Sequence, residues 1–463
     1  MTRIAEAGRL LALAAPIAAA YVGHVGMGWV DTAIVGRVGK DALAGIGLGA
    51  SITTVVSLLG LGIVSGLDPV AAQRIGAGER PRARDALRHA LWLVIPIAVL
   101  LGILGITLDR VLLVPSLHGA LAGALPGANE SPWIAFEPEV ARLAHEYLWS
   151  RLPGHLPYTA FVVFRSWLYA DHRPGPVLWA TLVANIVHLA AGWACVFGAP
   201  ALWVPEFGPV ATGWVTSISY LISILCLVPA MHRDLGTRGS PRTESRRAGC
   251  LRIVTLGLPI GLQMTLDSGV FMAVALLMNK ISPLWGGAHQ ITNQLVAFTF
   301  VVAVGLGSAA SVRVGQAIGR GDATATRLAG ITATWLGLVW MGAMGTVLWL
   351  AAEPLARVFT GEAGLIAAAR ELIRIAALFQ VFDGLQAVCS GIARGAGMTR
   401  FPFVANLVGQ WVIGLPLGYW LAFECGFGGP GLWAGLTAGI VAVGVLLAWR
   451  TQRVLARGVR PLA

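Results

Sequence analysis

The sequence predicts an all-α polytopic membrane protein, with twelve transmembrane helices in two pseudo-symmetric six-helix lobes around a central cleft. Two features of the composition indicate a membrane protein. Hydrophobic residues make up 56% of the chain and charged residues only 12%, about half the charged share of a soluble domain. Apolar runs of about 20 residues also recur, and this length spans a bilayer. A repeat between the two halves of the chain indicates the lobes.

Twelve apolar segments are separated by short polar connections. Because a bilayer offers no water to satisfy backbone N–H and C=O groups, each segment is expected to be helical. The segments cover residues 9–36, 43–72, 86–109, 139–164, 175–198, 208–231, 251–279, 286–312, 328–351, 365–392, 401–424 and 431–450. The first segment is too long for the apolar core of a signal peptide, so we expect it to remain as a spanning helix.

Arginine is distributed unevenly between the connections. QRIGAGERPRARDALRH, after the second segment, and HRDLGTRGSPRTESRRAGCLR, after the sixth, are both rich in arginine, whereas GALPGANESPWIAFEPE has no basic residue. Because basic connections stay on the cytoplasmic side, we expect a plasma (inner) membrane protein with both termini in the cytoplasm. The net charge of +11 follows from this sorting, and no basic patch interleaved with aromatic residues indicates nucleic-acid binding.

The longest polar stretch, residues 232–248, lies at the middle of the chain. It divides the chain into an N-terminal six-helix lobe, residues 1–231, and a C-terminal six-helix lobe with a cytoplasmic tail, residues 249–463. The stretch itself is predicted to be a cytoplasmic linker.

An internal repeat supports this division. A shift of 243 residues places Pro16 on Pro259 and QRIGAG, residues 73–78, on QAIGRG, residues 316–321. Two six-helix units of equal orientation are related by a pseudo-twofold axis along the membrane normal. Such a pair encloses a central cleft, which suits transport by alternating access.

Polar residues inside spanning segments are costly and therefore informative. Asp267 and Asp383 lie near the middle of the seventh and tenth segments, with Gln263 one turn before Asp267. Phe379 and Gln386 flank Asp383 on its helix. Two carboxyl groups at similar depth could share a proton or jointly bind a cation, and such a site could exchange H⁺ or Na⁺. The alternative is a pair of hydrogen-bonded structural aspartates.

The N-terminal half has its own polar candidates. Asp31 lies in the outer third of the first segment, where it is either a proton-coupling residue or a helix-end residue. His24 is seven residues earlier on the same face, and Asn185 and His188 form a second polar pair on the fifth segment. Asp68, beside Pro69 near the cytoplasmic end of the second segment, is a candidate gate residue.

Other chemistry is not indicated. The five cysteines are scattered, with no CxxC pair and no metal-like Cys/His spacing. An intramembrane enzyme would need a catalytic constellation such as paired histidines on one helix face, and none is present. We therefore expect a protein that is not an enzyme, with no cofactor and no metal apart from a Na⁺ ion at Asp267 and Asp383.

Several stretches together resemble the multidrug and toxic compound extrusion (MATE) family, in order and in both halves. They are MGWVDTAIVGRVGKDALAGIGLG, AAQRIGAGE, GLPIGLQMTLDSGVF, GGAHQI, SVRVGQAIGRGD and FQVFDGLQAVCSGIARGAG. The resemblance implies two six-helix lobes around a V-shaped cavity, and outward transport of small cationic amphipathic compounds by a monomer in exchange for H⁺ or Na⁺. It also implies coupling roles for Asp31, which matches an acidic first-helix position, and for Asp267 and Asp383, which match a cation-binding cluster.

The sequence departs from the family pattern at three places. Phe379 stands where sodium-coupled relatives often have tyrosine, and Leu189 stands where some proton-coupled members have aspartate. GLDPVAAQ, with Asp68, is closer to plant and animal members. Because of these departures neither coupling scheme of the family transfers cleanly. We expect H⁺ as the coupling ion, with Na⁺ as the alternative.

A second interpretation within transport is a lipid or lipid-linked oligosaccharide flippase of the same wider superfamily. A flippase for anionic head groups should line its cleft with arginine. We expect the span interiors to carry aspartate and almost no cations, which favours the antiporter.

Overall fold

The computed structural model describes residues 2–113, 137–236, 244–458 and 461–462. Within these residues ten helices are long and apolar enough to cross a membrane. The predicted connection around residues 114–136 and part of the predicted linker, residues 237–243, lie outside the described residues, so their predicted roles stay predictions. The division at residues 231 and 249 also stays a prediction.

The described chain is built from helices. In the N-terminal lobe they are α1 (Arg3–Val35), α2 (Lys40–Val64), α3 (Leu67–Gly76), α4 (Arg80–Leu112), α5 (Pro138–Arg151), α6 (His155–Ala170), α7 (Gly175–Phe197) and α8 (Ala211–Gly236). In the C-terminal lobe they are α9 (Arg246–Ile281), α10 (Pro283–Gly319), α11 (Ala323–Leu350), α12 (Ala352–Phe359), α13 (Ala363–Gly395), α14 (Arg400–Asn406), α15 (Leu415–Tyr419) and α16 (Gly428–Arg457).

The predicted architecture of twelve spanning helices in two lobes is confirmed, with interruptions in three spans. The second span breaks between α2 and α3, and the fourth breaks at the 3₁₀ turn Leu152–Gly154 between α5 and α6. The eleventh begins as α14 and passes through π-helical turns at Leu407–Gly414 and Trp420–Glu424. The tenth span is α13, which carries more charge than a typical membrane helix.

Most helices extend beyond their predicted segments. α10, for example, continues to Gly319, seven residues past the predicted end. α8 reaches Gly236 and α9 begins at Arg246, so the connection between the lobes is shorter than the predicted linker. The helix ends project beyond the apolar core of a bilayer, where polar residues no longer carry the cost that the sequence pattern detects.

Small residues allow the two lobes to approach closely. A Cβ atom on Gly62 of α2 would lie 2.1 Å from Gly261 of α9, and one on Gly305 of α10 would lie 2.7 Å from Ala18 of α1. These contacts are equivalent under the shift of 243 residues. Because van der Waals packing drives helix association in membranes, small residues are expected where helices cross this closely.

Candidate ion-coupling sites and the inter-lobe seam

Asp267 lies at the centre of a polar cluster in the C-terminal lobe. Its Oδ1 accepts hydrogen bonds from the side-chain amides of Gln386 at 3.2 Å and Gln410 at 3.1 Å. Asn406 Nδ2 donates to the same oxygen. Three amide donors on one carboxylate oxygen stabilise the negative charge that burial would otherwise disfavour.

Asp383 belongs to the same cluster. It lies three residues before Gln386 on α13 and is 6% exposed, and its carboxyl group interacts electrostatically with that of Asp267. The structure therefore brings together the two aspartates that the sequence placed at similar depth. Their coupling role stays a prediction.

Asn406 and Gln410 were missed by the sequence analysis. Asn406 ends α14, and Gln410 lies in the π-helical turn that follows, where the changed helical repeat alters which side chains share a face. Gly409 and Gly414 lie against Gly439 of α16, which brings this span close to its neighbour. The available signal was an amide pair four residues apart in an otherwise apolar segment.

The three amides leave their oxygens unused. Gln386 Oε1, Asn406 Oδ1 and Gln410 Oε1 are buried with no hydrogen-bond partner among the described residues. Buried acceptors without partners need an explanation such as an ion or a water molecule. Amide and carboxylate oxygens are the ligands that hard cations take in proteins. The carboxyl group and the amide oxygens of this cluster can therefore hold a proton or a small cation.

Two other residues proposed for this site lie outside the cluster. The Gln263 amide donates to Ser390 Oγ on α13 at 3.2 Å and not to Asp267. Phe379 is fully buried and stacks on Trp433, with ring centroids 5.9 Å apart. Phe379 therefore belongs to the apolar core of the lobe.

Asp31 forms a separate site in the N-terminal lobe. Its Oδ1 lies 2.9 Å from His188 Nε2 on α7, and its Oδ2 lies 3.2 Å from the Thr216 hydroxyl on α8. Asp31 is 8% exposed and His188 is fully buried. This burial favours the interior site over the helix-end interpretation.

The hydrogen bonds of His188 allow its protons to be counted. The Ser219 hydroxyl donates to the Val215 carbonyl at 2.8 Å, so His188 Nδ1–H donates to Ser219 Oγ at 3.2 Å. The contact between Nε2 and Asp31 then needs one more proton, on either the ring or the carboxyl group. A hydrogen bond between Asp31 and His188 therefore contains one proton, carried by the ring or by the carboxyl group.

His24 and Asn185 do not contact Asp31 in this arrangement. The His24 ring lies between Tyr158 and Tyr220, with both centroid distances 5.7 Å. The Asn185 amide donates to the Thr181 carbonyl at 2.8 Å. His188 is thus the partner of Asp31 instead of His24, which shares only a helix with it.

The expectation that span interiors carry almost no cations is wrong for the N-terminal lobe. Arg165 of α6 is 8% exposed, and its guanidinium lies 5.2 Å from the Tyr21 ring centroid. Arg151 of α5 lies 5.5 Å from the Tyr220 ring centroid. The Nε atoms of both arginines are buried, with no hydrogen-bond partner in the part of the chain that the structure describes. Arg151 lies inside the fourth predicted segment, whereas Arg165 lies one residue beyond its predicted end and is included because the helix continues to Ala170.

Asp68 lies where the two lobes meet. It is in the first turn of α3, and its Oδ2 lies 3.8 Å from Arg394 Nη1 at the end of α13. A second ion pair joins the lobes at the same face, where Arg313 of α10 donates to both oxygens of Glu6 at 2.9 and 2.8 Å. We call this face, at which α1 begins and α3 and α10 end, the arginine-rich face.

Two glutamines from the repeat complete the contact at this face. Gln73 Nε2 donates to the Gly395 carbonyl at the end of α13 at 2.9 Å, and Gln316 Nε2 donates to the Ala170 carbonyl at the end of α6 at 2.8 Å. Each lobe thus donates a hydrogen bond to a helix end of the other. We call these contacts, with those of Asp68 and Glu6, the inter-lobe seam.

The repeated glycines explain how each glutamine side chain reaches a helix end of the opposite lobe. A Cβ on Gly76 would lie 2.2 Å from the Gln316 carbonyl oxygen, and one on Gly319 would lie 1.9 Å from the Gln73 carbonyl oxygen. The motif shared by QRIGAG and QAIGRG therefore supplies a hydrogen-bonding glutamine and the glycine that lets the opposite backbone approach.

A family comparison agrees with this two-lobe arrangement. The MatE family model matches residues 16–115 and 259–420, more than half of the chain, with the first three spans of the N-terminal lobe and most of the first five of the C-terminal lobe. This chain belongs to the MatE family. The MatE match contains Asp31, Asp267 and Asp383, as well as both glutamines of the seam.

Similar proteins cover the chain almost end to end. The probable multidrug resistance protein NorM of Bradyrhizobium diazoefficiens is 32% identical over 460 residues, covering 96% of this chain and 93% of that protein. The protein of the same name from Rhodopseudomonas palustris is 34% identical over 458 residues, covering 95% and 90%. The crystal structure of the eukaryotic MATE transporter AtDTX14 shares the fold, with a TM-score of 0.82, 21% identity and 98% coverage of both chains.

Proposed function

We propose that this chain is a multidrug efflux antiporter that exports small cationic amphipathic compounds in exchange for an inward-moving ion. The observation that carries the proposal is the C-terminal cluster, where Asp267 and Asp383 share a buried site with three amides. A buried acidic pair inside a membrane protein is a costly arrangement that ion exchange would explain. The names of the NorM relatives support multidrug efflux.

The coupling ion is proposed to be H⁺. The Asp31–His188 pair supports this choice, since its contact geometry needs one shared proton. Na⁺ is the second candidate because the unused amide oxygens around Asp267 provide oxygen ligands. We therefore assign proton exchange to the N-terminal site and ion exchange, of H⁺ or Na⁺, to the C-terminal cluster.

Alternating access is proposed to proceed by opening and closing of the inter-lobe seam. With the arginine-rich face in the cytoplasm, as the distribution of basic residues predicts, the seam closes the cytoplasmic side. Asp68 then acts as a gate residue through its pairing with Arg394. Opening to the cytoplasm requires breaking the two ion pairs and both glutamine bonds, and substrate and ion binding would supply that free energy.

The placement in the membrane follows from the same proposal. We assign the chain to the inner membrane, as a monomer with both termini in the cytoplasm. No resident cofactor is assigned, and the chain is proposed to be a transporter and not an enzyme.

A flippase remains the second candidate function. The buried guanidinium groups of Arg151 and Arg165 favour it, because they could receive an anionic head group. The Asp267–Asp383 pair favours the antiporter, since paired carboxyl groups would repel an anion. The two functions differ in whether an imposed ion gradient drives transport of an organic cation.

Liposomes that contain the full chain test the proposal. Ethidium movement is followed by fluorescence under a pH gradient and, separately, under a Na⁺ gradient, with a fluorescent anionic lipid translocation assay beside it. The proposal expects ethidium transport driven by the pH gradient. Lipid translocation without gradient-driven ethidium transport would establish the flippase instead.

A further inference from the structure

A groove of about 570 Å³ lies on the C-terminal lobe, and none of the residues of the Asp267 cluster is among those that line it. It is formed by the start of α10, the end of α11 and the first half of α13, at the face opposite the arginine-rich face. Its walls combine two tryptophans, two arginines, one glutamate and aliphatic side chains. The lining includes Trp285, Trp349, Arg370, Glu371, Arg374 and Leu378.

The two arginines differ in their partners. Arg370 Nη1 donates to Glu353 Oε2 at 3.2 Å. Hydrogen bonding from Arg357, with a further bond from Arg370, lowers the pKa of Glu353, so Glu353 stays ionised and offsets the charge of Arg370. Arg374 lies with its guanidinium 5.8 Å from the Trp349 ring centroid, and no carboxylate of the described chain lies within ion-pair distance of it.

The groove spans the level at which a bilayer changes from polar to apolar. A helical rise of about 1.5 Å per residue places Arg370 and Arg374 about 10 and 17 Å along α13 from Ala363. Leu378 follows one turn deeper and is 60% exposed, and Trp349 is 44% exposed. Tryptophan and arginine are the side chains expected at head-group depth, with aliphatic surface below them.

We propose that this groove binds a phospholipid with a phosphodiester and a primary ammonium, that is, phosphatidylethanolamine. The phosphate is placed on Arg374, whose fork geometry suits phosphate oxygens. The ammonium is placed on Glu371, and the first carbons of an acyl chain run along Leu378. Both a cationic and an anionic side chain line the groove, so a zwitterionic head group fits it better than a purely anionic one.

Titration of the purified full chain in detergent tests this assignment by native mass spectrometry. Phosphatidylethanolamine is compared with phosphatidylcholine, phosphatidylglycerol and free phosphoethanolamine. We expect saturable binding with preference for phosphatidylethanolamine, and at least tenfold weaker binding of the free head group because it lacks the acyl contacts. Equal binding of the three lipids, or equal binding of the free head group, would overturn the proposal.

Substitutions locate the site. Arg374→Gln is expected to weaken phosphatidylethanolamine binding about tenfold through loss of charge-assisted hydrogen bonds. Arg374→Lys, which keeps the charge, is expected to weaken it about threefold. The matched control is Arg453→Gln, since Arg453 also lies over a tryptophan, with its guanidinium 4.0 Å from the Trp449 ring centroid. A loss as large in the control as in Arg374→Gln, or no loss in Arg374→Gln, would show that the groove is not the binding site.

Discussion

In the C-terminal lobe Asp267 lies against three amides, whereas in the N-terminal lobe Asp31 lies against a histidine. Asp267 accepts three amide hydrogen bonds and interacts with Asp383. Asp31 faces His188 at 2.9 Å. A histidine competes with a carboxyl group for one proton, but an amide has no proton to exchange at physiological pH.

The lobes also differ in their buried cations. Arg151 and Arg165 lie among tyrosine rings in the N-terminal lobe, while the hydrogen bonds to Asp267 come from neutral amides alone. The two lobes thus share the repeated glycines and glutamines of the seam. Their buried polar and charged side chains differ. Under the proposed mechanism the seam opens and closes, the N-terminal lobe exchanges a proton and the C-terminal lobe exchanges H⁺ or Na⁺.

The largest effect is expected from the C-terminal cluster. Asp267→Asn or Asp383→Asn should reduce ethidium transport at least 100-fold under either gradient, because an amide can neither take up a proton nor neutralise a cation. Transport in liposomes with equal protein content measures this. The matched control is Asp322→Asn at the N-cap of α11, where asparagine caps as well as aspartate. Near-normal transport in both cluster variants would remove the site from the mechanism.

The next effect separates the lobes. His188→Gln keeps a hydrogen-bonding side chain but removes the imidazole that shares a proton with Asp31. We expect about tenfold slower ethidium transport under a pH gradient, within the usual contribution of one positioned acid–base group. Any transport under a Na⁺ gradient should be unchanged. Equal loss under both gradients would mean that His188 is only structural and that the lobes do not divide the task.

Substitution of the glutamines in the inter-lobe seam is expected to have a smaller effect, of similar size in the two lobes. Gln73→Ala and Gln316→Ala each remove a buried hydrogen bond and leave a carbonyl without its donor, at a cost of about 1–3 kcal/mol. We expect both variants to open the arginine-rich face more often, measured as faster maleimide labelling of a cysteine placed at Ser311 on α10. If the cysteine at position 311 is labelled no faster in either variant than in the chain with both glutamines, the seam does not depend on both of them.

The smallest effect tests Phe379. Because its ring stacks on Trp433 in the apolar core, Phe379→Tyr should not add a ligand to the Asp267 cluster. We expect less than a threefold change in the ratio of Na⁺-driven to H⁺-driven transport, and a loss of about 1–2 kcal/mol in stability from a buried hydroxyl. A switch to Na⁺ coupling would show that position 379 reaches the ion.

The sequence was sufficient to predict the spans, the two lobes and the presence of acidic residues inside the spans. Apolar length and a charge within an apolar segment are both local signals. Asp267 and Asp383 could be paired because each lies near the middle of its segment. The contact between Asp31 and His188 could not be predicted, because which faces of α1 and α7 meet depends on packing. Asn406 and Gln410 were hidden by the π-helical turn, which shifts side chains away from the positions that a regular α-helix would give.

The repeated motif also separates what the sequence could predict from what required the structure. The sequence identified QRIGAG and QAIGRG as equivalent, but it gave no reason for the glutamine or the glycine. Both reasons require the opposite lobe: the glutamine donates to its helix end, and the glycine makes room for its backbone. For Arg151 and Arg165 the residues were plain in the sequence, but their burial became evident only in the fold.

Ion release on substrate binding tests the central claim most directly. Purified full chain in weakly buffered solution is mixed with ethidium near neutral pH, and protons released are counted with a pH-sensitive dye, with and without Na⁺. We predict that ethidium binding releases protons, and that Asp267→Asn and Asp383→Asn remove the contribution of the acidic cluster while the proton of the Asp31–His188 pair is still released. If ethidium binds without releasing a proton or displacing Na⁺, the acidic cluster does not exchange ions for substrate.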